Sequence, residues 1–378
     1  MPSLNHTKIV PDKSVQIYVN IFPEDPQFQE LVRSAEKGIL QGILPVRIPQ
    51  GSGGSYFVKD KNERIVGVFK PKDEEPYSEL NPKSMKKLHK RCFPCLFRRN
   101  CLVPNQGYLC EAAASIVSER LDLGIVPKTK VVRLSSSAFN YRNADFDDKS
   151  FTPPLKIGSM QTYVEGFEDA EFWMENFENQ TISEGLKKEF QYKFEKMIIL
   201  DYIIRNTDRG KHSWLVKLQM EGFQSDDESD FLSKSTHVQL VAIDNALSFP
   251  YKHPDHVRLY PFNWLRLPEA RVPFSEKSKN LVLEKLSRSS FVESLAEELH
   301  ELFSQDDNFN LNVFEEQMAV MRGQITNLCQ ALQEKMTGEQ LAGMEPVYLV
   351  KVGRYSVQSI TKSLQKKYRK RKPLLSCC

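Results

Sequence analysis

Hydrophobic runs separated by short polar stretches recur along this chain, and two of the runs lead into an aspartate. The run Met197-Ile-Ile-Leu-Asp-Tyr-Ile-Ile precedes Arg-Asn-Thr-Asp at 205–208, and Leu240-Val-Ala-Ile precedes Asp244. Runs of this length are typical of a buried strand or of the buried part of a helix. We therefore expect Asp208 and Asp244 to follow directly on two buried elements.

The periodicity of apolar residues predicts further elements of both types. Residues 65–70 (Ile-Val-Gly-Val-Phe-Lys) are typical of a strand, and residues 160–166 are typical of a strand that enters a linker. Residues 106–121 favour an amphipathic helix because apolar side chains recur at i, i+3 and i+4, at Leu109, Ala112, Ala113, Ile116 and Val117. We expect other helices near 189–205 and across 276–342, and a short helix and strand within 23–48.

A glycine-rich turn, a lysine and a glutamate precede the two aspartates in the chain. Such a turn can point backbone N–H groups at a phosphate, although a plain turn is the alternative; its residues are Gly51, Ser52, Gly53, Gly54 and Ser55. The spacing from Gly51 to Lys70 is that of a hairpin whose second strand carries a phosphate-binding lysine. The alternative is that Lys70 is a solvated residue at the end of a strand. Glu111 is its candidate partner, or a solvated glutamate in the first turn of a helix.

This order of motifs fits phosphoryl transfer of the kinase type. One aspartate of such an enzyme orients the attacking hydroxyl, and another holds Mg²⁺ on the phosphates; Asp208 and Asp244 are the candidates. A protein kinase carries a metal-binding Asn five residues after the first aspartate, whereas this chain has Ser213. A hydroxyl is a weaker ligand for Mg²⁺ than an amide oxygen, so the motif indicates a kinase and also raises doubt about its activity.

Several longer stretches are more specific. They include Gln50-Gly-Ser-Gly-Gly-Ser-Tyr-Phe-Val-Lys-Asp, Val68-Phe-Lys-Pro-Lys-Asp-Glu-Glu-Pro-Tyr, Pro104-Asn-Gln-Gly-Tyr-Leu and Asp201-Tyr-Ile-Ile-Arg-Asn-Thr-Asp-Arg-Gly. Together they resemble the type II phosphatidylinositol 4-kinases, over about residues 23–342. The resemblance implies an α+β, two-lobed fold like that of protein kinases and phosphatidylinositol kinases. It also implies transfer of the ATP γ-phosphate to the 4-hydroxyl of phosphatidylinositol, with Mg²⁺ or alternatively Mn²⁺.

The resemblance also implies roles for individual residues. Residues 51–55 would cover the phosphates and Lys70 would pair with them, Asp208 with its neighbour Arg209 would be catalytic, and Asp244 with Ser213 would hold the metal. The adenine hinge would consist of Gln161, Thr162, Tyr163 and Val164. The entrance for the lipid would be lined by Glu75, Pro76 and Tyr77.

Two departures from the family pattern lie at the candidate site. Lys211, His212 and Ser213 stand where the family has Asn-Asp-Asn, and Ala246 stands where it has Gly. They raise an alternative function, that of a catalytically impaired homologue acting as a nucleotide- or membrane-binding scaffold. A lone exposed histidine such as His212 is usually incidental.

Composition favours a cytosolic setting. The chain has 378 residues, 40% of them hydrophobic, which suffices for a two-lobed core. No apolar stretch approaches 18 residues, and the N-terminal residues lack the apolar core of a signal peptide. Seven cysteines without repeated spacing favour a reducing compartment. Nucleic-acid binding is disfavoured because the basic stretches lack aromatic stacking platforms and no nucleic-acid motif is present.

Two basic stretches, 83–99 and 362–372, indicate an anionic membrane surface as a partner. Each carries seven Lys or Arg residues and no acid, and each such charge favours an anionic leaflet by about 1 kcal/mol. The resemblance implies S-acylation of Cys92 and Cys95, and attachment to the cytoplasmic face of Golgi, endosomal or plasma membranes. The terminal Cys377 and Cys378 are further candidates for acylation or prenylation, with ordinary thiols in a disordered tail as the alternative. Aromatic and apolar residues after the second aspartate suit a membrane interface or, equally, the core: Tyr260, Trp264 and Leu265.

We expect four segments along the chain. Residues 1–22 form a loosely ordered lead, and residues 23–158 form the N-lobe with a basic, cysteine-containing insertion at 78–104. Residues 159–345 form the hinge and the C-lobe. Residues 346–378 form a basic, disordered tail.

Overall fold

The chain folds into the helices and antiparallel strands of an α+β protein. The computed structural model describes residues 19–76, 78, 80–81, 99–142, 152–177, 183–219, 237–254, 260–351 and 368–370. The strands are β1 (Val46–Arg47), β2 (Tyr56–Lys59), β3 (Ile65–Pro71), β4 (Thr129–Leu134), β5 (Lys156–Thr162), β6 (Glu168–Asp169), β7 (Trp214–Gln219), β8 (His237–Ala242), β9 (Leu349–Lys351) and β10 (Tyr368–Lys370). The α-helices are α1 (Pro26–Leu40), α2 (Gly107–Arg120), α3 (Ala170–Phe177), α4 (Glu184–Ile203), α5 (Glu276–Leu286), α6 (Ser289–Phe303), α7 (Leu311–Gln333) and α8 (Gly338–Ala342).

The N-lobe is an antiparallel sheet with strand order β1-β2-β3-β5-β4. Successive side chains of a strand point to opposite faces, so β3 buries Phe69 and directs Lys70 to the other face. Helix α1 packs on β2 and β3, and α2 packs on β4 and β5. A larger residue than glycine at position 67 would crowd β5, since a Cβ atom there would lie 2.9 Å from the backbone carbonyl oxygen of Gln161.

Helix starts in this fold carry the expected capping residues. Asp25 accepts a hydrogen bond from the backbone N–H of Phe28, and Pro26 occupies the first turn of α1. Ser183 caps α4 in the same way, so this helix begins five residues before the predicted start at 189. The sequence-based prediction missed these residues because the first turn of α4 is polar.

The C-lobe is built around the second half of α4. Residues 194–203 of this helix are all buried, and they pack against β8, α5 and α7. Strands β6, β7 and β8 form a small antiparallel sheet beside them, with Trp214 opposite Ala242. The two hydrophobic runs of the sequence are therefore the end of α4 and the end of β8, which confirms the prediction that both aspartates follow buried elements.

Part of the segment predicted as a disordered tail is ordered. Strand β9 pairs antiparallel with β10, and Tyr348 and Leu349 are buried, at 6% and 1% exposure. Tyr348 packs with Ala319 and Val320 of α7. The prediction was wrong for these residues because their apolar run is too short to show a periodicity. They are buried by contact with α7, which a sequence pattern does not reveal.

Trp264 is in the C-lobe core and not at the surface. Its side chain is 2% exposed and stacks on Phe262, with ring centroids 4.7 Å apart and an interplanar angle of 19°. Leu265 packs half-buried against the same core, and Tyr260 is half-buried. Of the two interpretations of this aromatic stretch, the structure supports the core for Trp264, since insertion into a membrane would require the ring to leave its packing.

We expect Trp264→Ala to lower the free energy of unfolding by about 3–5 kcal/mol, because it removes a fully packed aromatic side chain. Leu155→Ala is the control, since Leu155 is 53% exposed and its loss should change stability by less than about 0.5 kcal/mol. Urea titration followed by circular dichroism measures both. Unchanged stability of Trp264→Ala together with weaker vesicle binding would contradict the core assignment.

Candidate active site

A lysine from the N-lobe and an aspartate from the C-lobe meet at the centre of the site. The Lys70 ammonium lies 2.5 Å from Glu111 Oε1 on α2 and 2.5 Å from Asp244 Oδ1 after β8. The side chain of Glu111 is 2% exposed, whereas that of Asp244 is 51% exposed. The structure thus shows the lysine–glutamate pair that the sequence suggested, and it adds the aspartate to the pair.

Charge pairing sets the ionisation of this trio. Burial opposes the charged form of Lys70, but the carboxylates of Asp244 and Glu111 outweigh burial and raise its pKa. The Asp244 side chain is only half exposed, and the loss of water around it opposes its ionised form. The Lys70 ammonium nevertheless holds the pKa of Asp244 below its ordinary value. Both groups are therefore charged at neutral pH, as binding of phosphates and of a metal requires.

The loop after α4 presents Asp208. The N–H of Asp208 donates to the Asn206 side chain at 2.8 Å, and the Asp208 side chain is 53% exposed. Arg99 Nη2 lies 2.9 Å from Asp208 Oδ1, and the same guanidinium stacks over the Tyr260 ring at 4.7 Å. Asp208 is therefore accessible to an acceptor molecule while one of its oxygens is held by an arginine.

Arg209 lies at the centre of a buried polar network next to the site. Its side chain is fully buried and pairs with the equally buried Asp201 of α4 at 2.7 Å. It also donates to the carbonyl oxygens of Ser213 and Ile243 and to the side chain of Asn245. The catalytic role that the sequence suggested for Arg209 stays a prediction, and in the structure all the contacts of its guanidinium are with protein groups.

Pairing of β7 with β8 brings Ser213 next to the Asp244 loop. The N–H of Ile243 donates to the Ser213 carbonyl at 2.9 Å. Within the described residues there is no cluster of three or more His, Cys, Asp or Glu that could hold a metal. One carboxylate and one hydroxyl nevertheless fit a hard divalent cation that takes its other ligands from water and substrate phosphates.

Ala246 is accommodated without distortion. Its methyl group lies beside the start of α2, where a Cβ atom on Gly107 would come within 3.1 Å of it. The glycine at 107 therefore leaves room for the alanine that departs from the family pattern. Asp244 itself has φ = 53°, a left-handed conformation that is costly for a non-glycine residue and typical of functional loops.

The glycine-rich turn and the predicted hinge flank this trio. Residues 51–55 connect β1 to β2, which pair antiparallel, and Gly51 has φ = 82°. At the end of β5, the N–H groups of Thr162 and Tyr163 donate to the carbonyl oxygens of Lys128 and Val66. Contacts with adenine would therefore fall to the other backbone groups of the hinge, including those of Val164.

Glu75 contacts the start of α2. Its carboxylate accepts hydrogen bonds from the N–H groups of Gly107 and Tyr108, at 3.0 and 2.7 Å. Burial raises its pKa to about 7, although these two N–H groups oppose the rise. Glu75 thus caps the helix that carries Glu111, and Pro76 follows it beside Gly53. Tyr77, Cys92 and Cys95 lie outside the described residues.

Sequence reasoning missed Arg99, and its role as partner of Asp208 is visible only in the structure. In the sequence it is one of seven basic residues in a stretch predicted to face a membrane. A charged residue is usually solvated, and no local pattern distinguishes Arg99 from its neighbours. The sequence did contain one signal for the buried partner of Arg209. Asp201 is a charged residue inside an otherwise apolar helical run, and a buried charge requires a partner.

An exposed aspartate after a buried helix, a second aspartate paired to a strand lysine, and a helix glutamate on that lysine define the kinase class of phosphotransferases. Residues 51–329 match the family described as phosphatidylinositol 3- and 4-kinase. The chain belongs to this family, which confirms the two-lobed, kinase-like fold predicted from the sequence.

Several type 2 phosphatidylinositol 4-kinases are similar to this chain over most of its length. The type 2-beta enzyme of Mus musculus is 49% identical over 347 residues, covering 86% of this chain and 74% of its own length. The type 2-beta and type 2-alpha enzymes of Danio rerio are 47% and 46% identical, covering 90% and 94% of this chain and 70% and 84% of their own lengths. A solved structure of hydra Fam20 with sugar aligns with 77% of this chain and 84% of its own, at a TM-score of 0.44 and 13% identity.

Arg209→Met should lower the free energy of unfolding by about 3–5 kcal/mol, because it leaves Asp201 buried without a partner. Arg64→Met is the matched control, since Arg64 pairs with Asp60 at the surface and such a pair contributes about 0–1 kcal/mol. Chemical denaturation measures both variants. Equal losses in the two variants would contradict the role of Arg209 as the buried link between the loops.

Proposed function

We propose that this protein is a lipid kinase that transfers the γ-phosphate of ATP to the 4-hydroxyl of phosphatidylinositol. The Lys70–Glu111–Asp244 trio, together with the exposed carboxylate of Asp208, carries the proposal. It supplies a cation for the phosphates and a carboxylate for the metal, and Asp208 supplies a carboxylate for the attacking hydroxyl. Membership of the phosphatidylinositol 3- and 4-kinase family, and relatives named as type 2 phosphatidylinositol 4-kinases, support the choice of lipid and of ring position.

Each residue of the site has a separate role in this proposed reaction. Lys70 binds the ATP phosphates, and Glu111 orients its ammonium. The backbone of residues 51–55 covers the phosphates, and residues 161–164 contact adenine. Asp208 accepts a hydrogen bond from the attacking hydroxyl of the inositol ring and orients it in line with the γ-phosphate. Arg99 holds the other oxygen of Asp208 in place.

Mg²⁺, with Mn²⁺ as the alternative, would be held by Asp244 and Ser213. A divalent cation there neutralises charge that develops on the phosphates. Serine keeps the backbone contacts of this position, because Arg209 and Ile243 use only its carbonyl oxygen. The substitution therefore changes one metal ligand and leaves the scaffold intact. It favours a lowered or metal-selective activity, with the nucleotide-binding scaffold as the second candidate function.

Phosphorylation of phosphatidylinositol in detergent micelles tests the proposal, with product position read by chromatography of the deacylated lipid. We expect phosphatidylinositol 4-phosphate from the wild type, and a loss of roughly a hundredfold or more in Asp208→Asn, which cannot accept the hydroxyl proton. Asp307→Asn, at an exposed carboxylate, is the matched control and should retain full activity.

Ser213→Asn, assayed with Mg²⁺ and with Mn²⁺, distinguishes the two candidate functions. A wild type that turns over, with faster turnover in Ser213→Asn, supports an active kinase limited by its metal ligand. ATP binding without turnover in the wild type, and turnover in the variant, supports the scaffold. Phosphate at another ring position would contradict the proposed specificity.

Attachment to the cytoplasmic face of membranes such as those of the Golgi and endosomes, by the basic insertion and S-acyl groups, completes the proposal. No helix in the described part of the chain has both the length and the apolar character that a bilayer-spanning segment needs. Cys101 is 1% exposed, so we assign acylation to Cys92 and Cys95, where two acyl chains suffice for stable anchoring.

The double variant Cys92→Ser/Cys95→Ser should move the protein from the membrane to the soluble fraction of cells and abolish hydroxylamine-sensitive labelling with a fatty-acid probe. Cys377→Ser/Cys378→Ser is the matched control and should keep both properties. Retained label in the first double variant, with loss in the second, would place the anchor in the C-terminal segment instead.

A further inference from the structure

The glycine-rich turn packs against a buried carboxylate that is not part of the kinase motifs described above. Glu74 lies four residues after Lys70, at the end of a short 3-10 helix (Lys72–Glu74), and is 0% exposed. Its carboxylate accepts hydrogen bonds from the Tyr56 hydroxyl at 2.6 Å, the Asn140 N–H at 2.9 Å and the Lys156 ammonium at 3.0 Å. We call these four residues the Glu74 cluster.

Lys156 balances the charge of the cluster. This lysine of β5 is 4% exposed, and its ammonium also lies 2.7 Å from Asp73 and 4.8 Å from the centre of the Tyr141 ring. A buried carboxylate is tolerated only with a partner and with its oxygens hydrogen-bonded. Glu74 meets both conditions, so its side chain is fixed in one position relative to the sheet.

The turn contacts Glu74 at two points, its backbone carbonyl oxygen and its fixed side chain. The N–H of Gly54 donates to the Glu74 carbonyl oxygen at 2.9 Å. A Cβ atom on Gly54 would lie 2.3 Å from Glu74 Oε2 and 2.8 Å from Glu74 Cβ. Gly54 is therefore a glycine because the turn packs on Glu74, and not only because the turn approaches a phosphate.

A second contact holds the other half of the turn. The Asn81 side-chain amide donates to the carbonyl oxygen of Ser52 at 2.9 Å and to that of Glu75 at 3.0 Å. Glu75 in turn accepts the first N–H groups of α2. The turn over the phosphates and the helix that carries Glu111 are thus fastened to the same short stretch of chain.

We propose that Glu74, held by Tyr56 and Lys156, is a positioning residue that preorganises the glycine-rich turn for the phosphates of ATP, with Asn81 as the second support. A glycine-rich segment is flexible when it is not supported, and ordering it on binding lowers affinity. The Glu74 cluster performs this ordering before ATP binds. The lysine also prevents repulsion between the carboxylate and the phosphates. This inference rests on the proposed kinase function for its ATP substrate.

The variants Glu74→Gln, Tyr56→Phe and Asn81→Ala each weaken one support of the turn. Asp60→Asn is the matched control, because the Asp60 carboxylate holds the neighbouring β2–β3 turn by accepting from the N–H groups of Asn62 and Arg64. The readouts are the Kd of ATP, from ATP-induced shifts of the melting temperature, and the separate KM values of ATP and phosphatidylinositol. We expect the Kd and KM of ATP to rise about fivefold per lost hydrogen bond, with the KM of the lipid unchanged and no change in Asp60→Asn.

Unchanged ATP affinity in folded Glu74→Gln, Tyr56→Phe and Asn81→Ala would overturn the proposal, as would an equal rise in Asp60→Asn. If Glu74→Gln does not fold, Tyr56→Phe and Asn81→Ala decide by the same criterion, since each removes one polar group and keeps the charge of Glu74. ATP binding is measured without lipid. A wild type that binds ATP but does not phosphorylate phosphatidylinositol would therefore contradict the proposed function and still test the role of Glu74.

Discussion

One buried guanidinium fixes the distance between the two aspartates of the site. Arg209 follows Asp208 directly, and its contacts join Asp201 in α4 to the loops that end at Ser213 and begin at Asp244. Both ions of the Arg209–Asp201 pair are completely buried, and a buried ion that loses its partner is strongly destabilising. Displacing either loop alone would therefore break contacts of a buried guanidinium, so the Asp244 loop is held relative to the Asp208 loop.

The same constraint extends into the N-lobe through Asn245. Its side chain accepts from Arg209, and its backbone N–H donates to Glu111 at 2.9 Å. Glu111 in turn holds Lys70. A second polar contact between the lobes lies nearby, where the Lys72 ammonium is 2.8 Å from Asp306. The lobes are thus joined by charged and polar groups around the candidate ATP site, and Arg209 is connected to Lys70 through Asn245 and Glu111.

This arrangement explains why two departures from the family pattern leave the fold intact. The scaffold uses the carbonyl oxygen of Ser213, which any residue supplies. Ala246 has space because residue 107 is a glycine. The contacts that hold the Asp244 loop and Lys70 come from Arg209 and Glu111, and neither departure changes these two residues.

The sequence by itself indicated the strand of Lys70, the helix of Glu111 and the two buried runs before the aspartates, in their order, because apolar periodicity is a local property. It also indicated Lys70, Glu111 and both aspartates, since their spacing follows known motifs. Only the tertiary structure decided that Trp264 is in the core, that β9 is ordered, and that Glu74 and Arg209 are buried. Glu74 and Lys156 are 82 positions apart, and a charged residue is expected at the surface. The buried carboxylate of Glu74 is stabilised by Lys156, a partner that only folding brings next to it.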